Sequence, residues 1–300
     1  MPLANCNAPR DANGRELVEH GTPAFPISCY HDDLSKHPVP WHWHEELEAA
    51  VITKGCATVA VGTEKYIIHP GEGFFVNSGI LHGCWDRNNS ACRFHSLVFR
   101  PSLVGGTMDS VFFQRYIRPL TGNRTLEGLF LAPTVPWQRQ VLQAIEDAWQ
   151  ACVQEPAGYE FQARAALSQL VFLIQSNTPS TRLLPSPQTL RDGERIKVML
   201  QYIHDHLGDE LSTVQIARQA SISESECLRC FRAAIDTTPI QYVRQYRIQR
   251  ASLLLTSTPQ PIGEIAALCG FQDVSYFTKT FRELTGIVPS EYRRLHTPAP

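Results

Sequence analysis

The sequence predicts a two-domain α+β protein, with a strand-rich amino-terminal domain followed by an all-helical carboxy-terminal domain. Between about residues 26 and 99, short apolar runs alternate with turns rich in Gly, Pro and Asn, which is the spacing of a sandwich or small barrel. From Trp137 onward, apolar residues recur at helical intervals instead. The length of 300 residues is more than one hydrophobic core usually needs, which supports two domains.

The strands are expected where β-branched and aromatic residues form short runs between turns. These runs are LEAAVIT (47–53), CATVAVG (56–62), KYIIH (65–69), GFFVN (73–77) and RFHSLVF (93–99). We assign residues 20–103 to a small β-barrel domain on this pattern.

Two helices are predicted behind the barrel, within a segment 104–177 that closes it. Their sequences are WQRQVLQAIEDAWQAC (137–152) and EFQARAALSQLVFLIQ (160–175). The second has one stripe of apolar residues at spacings of three and four, and further apolar residues elsewhere on its surface. The stripe consists of Ala163, Leu167, Leu170 and Ile174. Such a helix can face its own domain and a second subunit, or be buried within one domain.

Composition excludes several classes of protein. The chain has neither an apolar run behind a basic start nor about 18 consecutive apolar residues, so neither export nor membrane spanning is predicted. Nine cysteines without an export signal indicate reduced thiols rather than a disulfide framework. The net charge of −2 excludes a uniformly basic surface, although ten Lys and Arg outnumber seven Asp and Glu from Ser212 to Pro300. We expect a cytoplasmic protein.

A segment rich in proline and hydroxyl residues follows the second helix. It cannot continue a helix and is typical of an inter-domain linker. We place this linker at residues 178–190 and the helical domain at 191–300.

One motif occurs twice in the helical domain. FRAAIDTTPIQY (231–242) and FRELTGIVPSEY (281–292) share a Phe, an Arg, a Pro and a Tyr, each displaced by 50 positions. A repeat in constant register predicts two copies of one supersecondary unit. Between the two copies, the stretch 239–255 reads as one long helix that joins them.

The second copy has the pattern of a helix-turn-helix. Pro261 suits the start of a first helix, and Gly270 suits its end because glycine adopts positive φ at little cost. A second helix is expected from about Val274, with Phe277 and Phe281 one turn apart on its buried side. Its outward side would offer donors to base edges and cations to phosphates. The outward residues are Ser275, Thr278, Lys279 and Arg282.

The first copy follows the same plan with one irregular turn, since Ser221 replaces the glycine and tolerates positive φ less well. Its second helix is predicted over 224–235. Cys227 and Cys230 fall on the buried side, so this CxxC pair indicates core packing rather than zinc binding. The outward residues are Ser225, Glu226, Leu228, Arg229 and Arg232. Two such helices on one frame can enter successive major-groove segments, about 34 Å apart.

The stretch WHWHEELEAAVITKG (41–55) gives the amino-terminal domain a chemical cluster of its own. In a strand, alternate residues share a face, which would place His42, His44, Glu46 and Glu48 together. His82 can arrive beside them from a later strand. Trp85 can stack on a ring, although buried tryptophans more often pack a core. The cluster suits either a small organic ligand or a metal ion.

The doubled motif, above all IGEIAALCGFQDVSYFTKTFRELTGIVPSEYRR (262–294), resembles the signature of the AraC/XylS family of transcription regulators. The resemblance implies DNA contacts from the outward residues of both second helices. Ser221 and the acidic first helix are departures from that pattern. The resemblance further implies pairing of two chains through the helices 137–175, contact with RNA polymerase, and activation rather than repression.

The spacing H-x-H-x3-E-x6-G, from His42 to Gly55, resembles the first cupin motif, and PGEG with the later His82 resembles the second. In metal cupins the corresponding three histidines and one glutamate bind iron, manganese or a similar ion. The same stretches also resemble the effector domains of AraC-type regulators, which hold a small organic ligand. The effector candidates are therefore His42, His44, Glu46, Glu48, His82 and Trp85. No cofactor is expected, and a divalent metal on His42, His44, Glu48 and His82 is the alternative.

The sequence thus predicts a DNA-binding transcription regulator, not an enzyme. A cupin-like barrel would bind a small effector, two helices would form a homodimer, and two helix-turn-helix units would bind promoter DNA. The alternative is a metal-dependent cupin enzyme that carries the helical domain as an accessory.

Overall fold

The protein is described by a computed structural model covering residues 20–35, 39–88, 90–178, 187–235 and 237–296. It consists of two compact units, with the boundary between Leu190 and Arg191. Of the predicted linker, residues 179–186 lie outside the described ranges, whereas 187–190 already belong to a helix. Among the described helices, none has the length and apolar character that crossing a membrane requires.

The first unit is built on two antiparallel sheets, so the predicted fold class is confirmed, with two sheets in place of one closed barrel. The strands are β1 (Ile27–Asp33), β2 (Val39–His42), β3 (Leu47–Lys54), β4 (Ala57–Val61), β5 (Glu64–Ile68), β6 (Gly73–Val76), β7 (His82–Asp86), β8 (Arg93–Phe99) and β9 (Gly128–Leu131). One sheet has the order β1-β8-β3-β6-β9, and the other has the order β2-β7-β4-β5. The five strands expected from the sequence correspond to β3, β4, β5, β6 and β8.

Strand β3 lies inside the unit and is covered on both faces. Leu47, Ala49 and Val51 belong to the core beneath the helices, whereas Ala50 and Ile52 belong to the core between the two sheets. Because successive side chains of a strand alternate between faces, Glu48 lies on the side of Ala50 and Ile52. An acidic side chain is therefore directed into the space between the sheets.

Helices close the outer side of the larger sheet. They are α1 (Pro101–Gly105), a π-helix (Phe113–Ile117), α2 (Arg118–Thr121), α3 (Pro136–Gln154) and α4 (Tyr159–Asn177). The predicted apolar stripe of α4 is fully buried against the rest of the unit. Phe161 and Phe172 of the same helix are 80% and 48% exposed, so α4 also carries apolar surface on its outer side.

The second unit contains helices throughout its described residues. They are α5 (Pro187–Asp205), α6 (Thr213–Gln219), α7 (Glu224–Ile235), α8 (Pro239–Ser257), α9 (Ile262–Leu268), α10 (Val274–Thr285) and α11 (Pro289–His296). The bounds of α7 and the start of α10 coincide with those predicted. Ser212 and Thr238 begin α6 and α8 with capping boxes, in which side chain and backbone exchange hydrogen bonds.

The residues that the sequence repeats also pack in the same way in both copies. The rings of Phe231 and Tyr242 lie 6.2 Å apart, and those of Phe281 and Tyr292 lie 5.3 Å apart. All four side chains are buried. The two repeated prolines begin α8 and α11, where a missing N–H costs nothing. The fifty-residue repeat is thus one packing arrangement used twice, with α8 shared between the copies.

Candidate effector site and DNA-reading helices

A group of three histidines and one glutamate lies between the sheets of the first unit. His42 and His82 are paired across β2 and β7, and a bulge in β2 just before His42 shifts the register. A bulge re-aims the side chains that follow it, and the two rings lie 4.1 Å apart between centroids. His44 lies in the bend between β2 and β3, and Glu48 comes from the inner face of β3.

The four side chains converge on one point. Glu48 Oε2 lies 3.1 Å from His44 Nε2 and 2.9 Å from His82 Nε2. One donor atom from each of the four residues lies within 4.8 Å of all the others. Exposure of the four residues is between 2% and 7%, so the group is shielded from bulk water.

Backbone carbonyls fix the orientation of all three imidazoles. The Nδ1 atom of His42 lies 2.9 Å from the oxygen of Pro40, that of His44 lies 3.2 Å from the oxygen of Glu46, and that of His82 lies 2.8 Å from the oxygen of Ile80. A carbonyl oxygen only accepts hydrogen bonds, so each Nδ1 carries a proton. Nε2 is the ring nitrogen that His44 and His82 direct at Glu48 Oε2.

Electrostatics favours the ionised form of the carboxyl. Burial alone would raise the pKa of Glu48, but the charge of His82 and hydrogen bonds from His44 and His82 hold it well below the ordinary value. The site therefore contains a buried carboxylate among nitrogen ligands.

Two predicted members of the effector site are not among the four converging side chains. The stretch 42–48 is not one strand, because β2 ends at His42 and β3 begins at Leu47, and the strict alternation expected there is interrupted. Glu46 binds Arg100, with Oε1 and Nε 3.3 Å apart, and its other oxygen lies 4.0 Å from His44 Nδ1, on the side of the ring away from Glu48. Trp85 lies on the opposite face of β7 from His82 and packs edge-on against Trp41, at 5.3 Å between centroids.

His20 is a neighbour that the sequence did not indicate. Its ring lies 5.4 Å from that of His44, and its Nδ1 lies 2.8 Å from the Tyr30 hydroxyl. His20 precedes β1 and follows no strand or motif spacing, so only the folded chain brings it to the site.

In the second unit, the two helix-turn-helix turns share one hydrogen-bonding arrangement. The N–H of Ile222 donates to the oxygen of Ala217, and the N–H of Phe271 donates to the oxygen of Ala266, at 3.2 and 2.9 Å. These bonds close helices α6 and α9 in the same way, with a residue of positive φ between. That residue is Ser221 in the first turn and Gly270 in the second, with φ of 55° and 77°.

Helix α10 presents most of its predicted DNA-binding residues to solvent. Ser275, Lys279 and Arg282 are exposed. Thr278 is half-buried, and its hydroxyl donates to the oxygen of Val274 at 2.8 Å, so it is less available than expected. Tyr276, which the sequence analysis did not select, is 53% exposed near the start of the helix.

Helix α7 presents a different surface. Ser225 and Arg232 are exposed and Leu228 is half-buried, but Arg229 and Glu226 are bonded to each other at 2.7 Å. Arg229 also binds Asp192 of α5 at 2.7 Å, and Arg195 of α5 lies 3.3 Å from Glu226. Two of the five predicted DNA-binding residues of α7 thus belong to an ion network with α5.

Burial alone would raise the pKa of Asp192, but hydrogen bonds from Arg229, Cys230 and Arg195 hold it below the ordinary value. The hydrogen bond from Arg229 also lowers the pKa of Glu226. The network thus consists of ionised partners at neutral pH. Asp192 and Arg195 carry no motif in the sequence, and only the packing of α5 on α7 reveals them.

The fold and these sites are those of a DNA-binding protein with a separate ligand-binding domain, and comparison with known families agrees. AraC-like ligand binding domains match residues 25–171, and a helix-turn-helix domain family matches residues 216–295. The chain belongs to the AraC family of transcription regulators, as the sequence predicted.

Relatives in that family extend over nearly the whole chain. An uncharacterized HTH-type transcriptional regulator, YdeC of Bacillus subtilis (strain 168), is 30% identical over 96% of this chain and 98% of its own. The HTH-type transcriptional activator RhaR of Salmonella dublin is 27% identical over 85% of this chain and 86% of its own. Among solved structures, ToxT from Vibrio cholerae O395 is similar with a TM-score of 0.48 and 12% identity, covering 91% of this chain and 99% of that one.

Proposed function

We propose that this regulator is a cytoplasmic, dimeric activator whose DNA affinity is set mainly by α10 and whose effector binds between the two sheets of the first unit. The observation that carries the DNA assignment is the exposed row of Ser275, Lys279 and Arg282 on a helix whose other face is buried. Cations on such a helix suit phosphates, and short polar side chains suit base edges.

The first unit supplies the proposed control. It matches a family of ligand-binding domains, and its buried polar group is fixed on rigid strands. A ligand acts by binding one arrangement of the protein more tightly than another, so the response is limited by that difference in affinity. We assign sensing rather than catalysis to this group, because the relatives are transcription regulators.

Dimerisation is proposed through the outer face of α4. The exposed rings of Phe161 and Phe172 give this helix apolar surface that a second copy would cover. Activation, and with it contact with RNA polymerase, follows the activator RhaR named above. Analytical ultracentrifugation of Phe161→Ser with Phe172→Ser should show a shift from dimer to monomer.

The central test is binding of the full-length protein to duplexes from its own upstream region, titrated with salt. Sequence-selective binding that weakens steeply with salt is expected, because displaced counterions favour dissociation. Equal binding to scrambled duplexes, together with no enriched sequence in a selection from random DNA, would contradict the proposal.

A further inference from the structure

We propose that His42, His44, Glu48 and His82 bind one divalent first-row transition-metal ion, and that this ion is part of the effector site. The ion site stands on the geometry of these side chains alone. Its sensory role rests on the function proposed above.

The ligand atoms of the group point at one another. With Nδ1 of each ring donating to a carbonyl, Nε2 is the nitrogen by which each imidazole would bind a metal ion, and Glu48 Oε2 is directed at the Nε2 atoms of His44 and His82. Protons on these Nε2 atoms link the rings to the carboxylate at 2.9 and 3.1 Å, and a metal ion would take the place of those protons. Carbonyl partners on Nδ1 are also the usual second contacts of histidines that ligate metals through Nε2.

The dimensions fit an ion. Ligand atoms about 2.0–2.2 Å from a metal lie about 3–4.3 Å from one another. The observed separations, from 2.9 Å at the shortest to an upper limit of 4.8 Å, bracket this range. Movements of a few tenths of an ångström in the Glu48 and His82 side chains would complete the site. Three imidazoles and one carboxylate suit Zn²⁺, Fe²⁺, Mn²⁺ and their neighbours better than Ca²⁺ or Mg²⁺, which take oxygen ligands.

Another group of acidic and cysteine side chains in the described residues would be a poor metal site. Asp192, Glu226 and Cys230 also lie close enough to share an ion, but Arg229 and Arg195 already neutralise both carboxylates. In the described part of the chain, the ion pairs of Glu48 are with histidines only. A histidine can give up its Nε2 proton and bind a metal ion instead, whereas an arginine cannot.

An ion here would join both sheets. His42 and His82 belong to the smaller sheet, Glu48 belongs to the larger one, and His44 lies in the bend between them. Metal binding would therefore stabilise the arrangement of β2, β3 and β7 and raise the thermal stability of the first unit. The ion or a ligand bound to it could then be what the regulator detects.

The test is equilibrium dialysis of untagged, full-length protein against Zn²⁺, Mn²⁺ and anaerobic Fe²⁺, followed by elemental analysis and calorimetry. About one ion per chain is expected for at least one metal, with a higher melting temperature of the first unit that EDTA reverses. His44→Ala and Glu48→Gln should each lose more than about tenfold in affinity. His206→Ala, in the second unit, is the matched control and should retain the ion.

No bound ion in the wild type with any of the three metals would overturn the proposal, as would equal binding by the wild type and both variants. The wild-type result decides the question by itself if the variants fail to fold. DNA binding is measured on the same samples. An ion with no sequence-selective DNA binding would preserve the metal site and reject the proposed function, and the reverse result would do the opposite.

Discussion

The two helix-turn-helix copies differ in what surrounds the cations of their second helices. In the first copy, Arg229 of α7 binds Asp192 and Glu226. Arg232 of the same helix is exposed, and in the second copy both Lys279 and Arg282 of α10 are exposed. The turns differ as well, since a serine has positive φ in one and a glycine in the other. Helices α6 and α9 begin 49 positions apart and α7 and α10 begin 50 apart, so the second turn is one residue longer.

The comparison indicates a division of labour between the two units. Asp192 lies in α5, the helix that follows the inter-unit segment. In the proposed complex, DNA would have to compete with Asp192 for Arg229, so DNA contacts of the first copy would depend on where α5 lies. Lys279 and Arg282 of the second copy would need no such release. We infer that α10 supplies the constant part of DNA affinity and α7 the adjustable part.

The largest expected effect is on the turn of the second helix-turn-helix copy. A Cβ at Gly270 would overlap the oxygen of Leu207 and lie 2.7 Å from the guanidinium carbon of Arg247. Strain at positive φ adds to this overlap, so Gly270→Ala should destabilise the helical domain by about 2–4 kcal/mol. Calorimetry of the full-length protein measures this as a lower melting temperature of one of its transitions.

Gly263→Ala is the matched control for this change. Gly263 lies in α9, and the nearest atom to its Cβ would be a Val274 methyl at 3.9 Å. Alanine should stabilise α9 there by up to about 1 kcal/mol. If both substitutions had the same small effect, the close packing of Gly270 against α8 would be the wrong explanation.

The next effect distinguishes the two recognition helices. Lys279→Ala should weaken DNA binding on every sequence and reduce the magnitude of the salt slope by about one, as loss of a phosphate contact predicts. Arg229→Ala should change affinity less, because Arg229 is already paired within the protein. Fluorescence anisotropy at several salt concentrations measures both. A larger loss for Arg229→Ala than for Lys279→Ala would reverse the assignment.

The sequence predicted the parts of this comparison that depend on local pattern. The bounds of α7, the positive φ of Ser221 and Gly270, and the buried Phe277 and Phe281 all follow from helical spacing and turn chemistry. The pairing of Arg229 with Asp192 joins residues 37 positions apart, and no period or motif marks it. In the amino-terminal domain, motif spacing alone predicted that His42, His44, Glu48 and His82 belong to one site. A bulge and a bend, which spacing does not reveal, direct Glu46 to Arg100 and to the Nδ1 side of His44 instead of to the point where the four meet.

A smaller effect should follow from releasing Arg229. Asp192→Asn removes its partner on α5, and partly exposed ion pairs contribute about 0.2–1 kcal/mol. DNA affinity should therefore rise by up to about fivefold. Glu194→Gln removes the same charge from an exposed neighbour on α5 and serves as the control. Equal gains in both variants would show a general charge effect rather than release of Arg229.

The carboxyl group of Asp192 should also make the stability of the helical domain depend on pH. Its pKa is lower in the folded protein than the ordinary value of 3.8, so Asp192 stabilises the folded state above that value. The contribution is lost as the pH falls through the folded pKa, because the unfolded chain then binds the proton more readily. The free energy of unfolding of the helical domain should fall less steeply below pH 3.8 in Asp192→Asn than in the wild type.

The smallest expected effect is on the turn of the first helix-turn-helix copy. Ser221 is exposed with φ of 55°, which costs a non-glycine residue about 1 kcal/mol. Ser221→Gly removes that strain but increases the entropy of the unfolded chain by a similar amount, about 0.4–1 kcal/mol. The net change in free energy of unfolding should therefore be within about 0.5 kcal/mol of zero. Hydrogen exchange of the Ile222 amide, which donates to Ala217, measures it locally. Protection that rises more than about tenfold, which corresponds to about 1.4 kcal/mol, would mean that Ser221 strains this turn beyond its φ alone. The first copy of the motif would then be weakened by its turn, although the ion pair of Arg229 with Asp192 stabilises it.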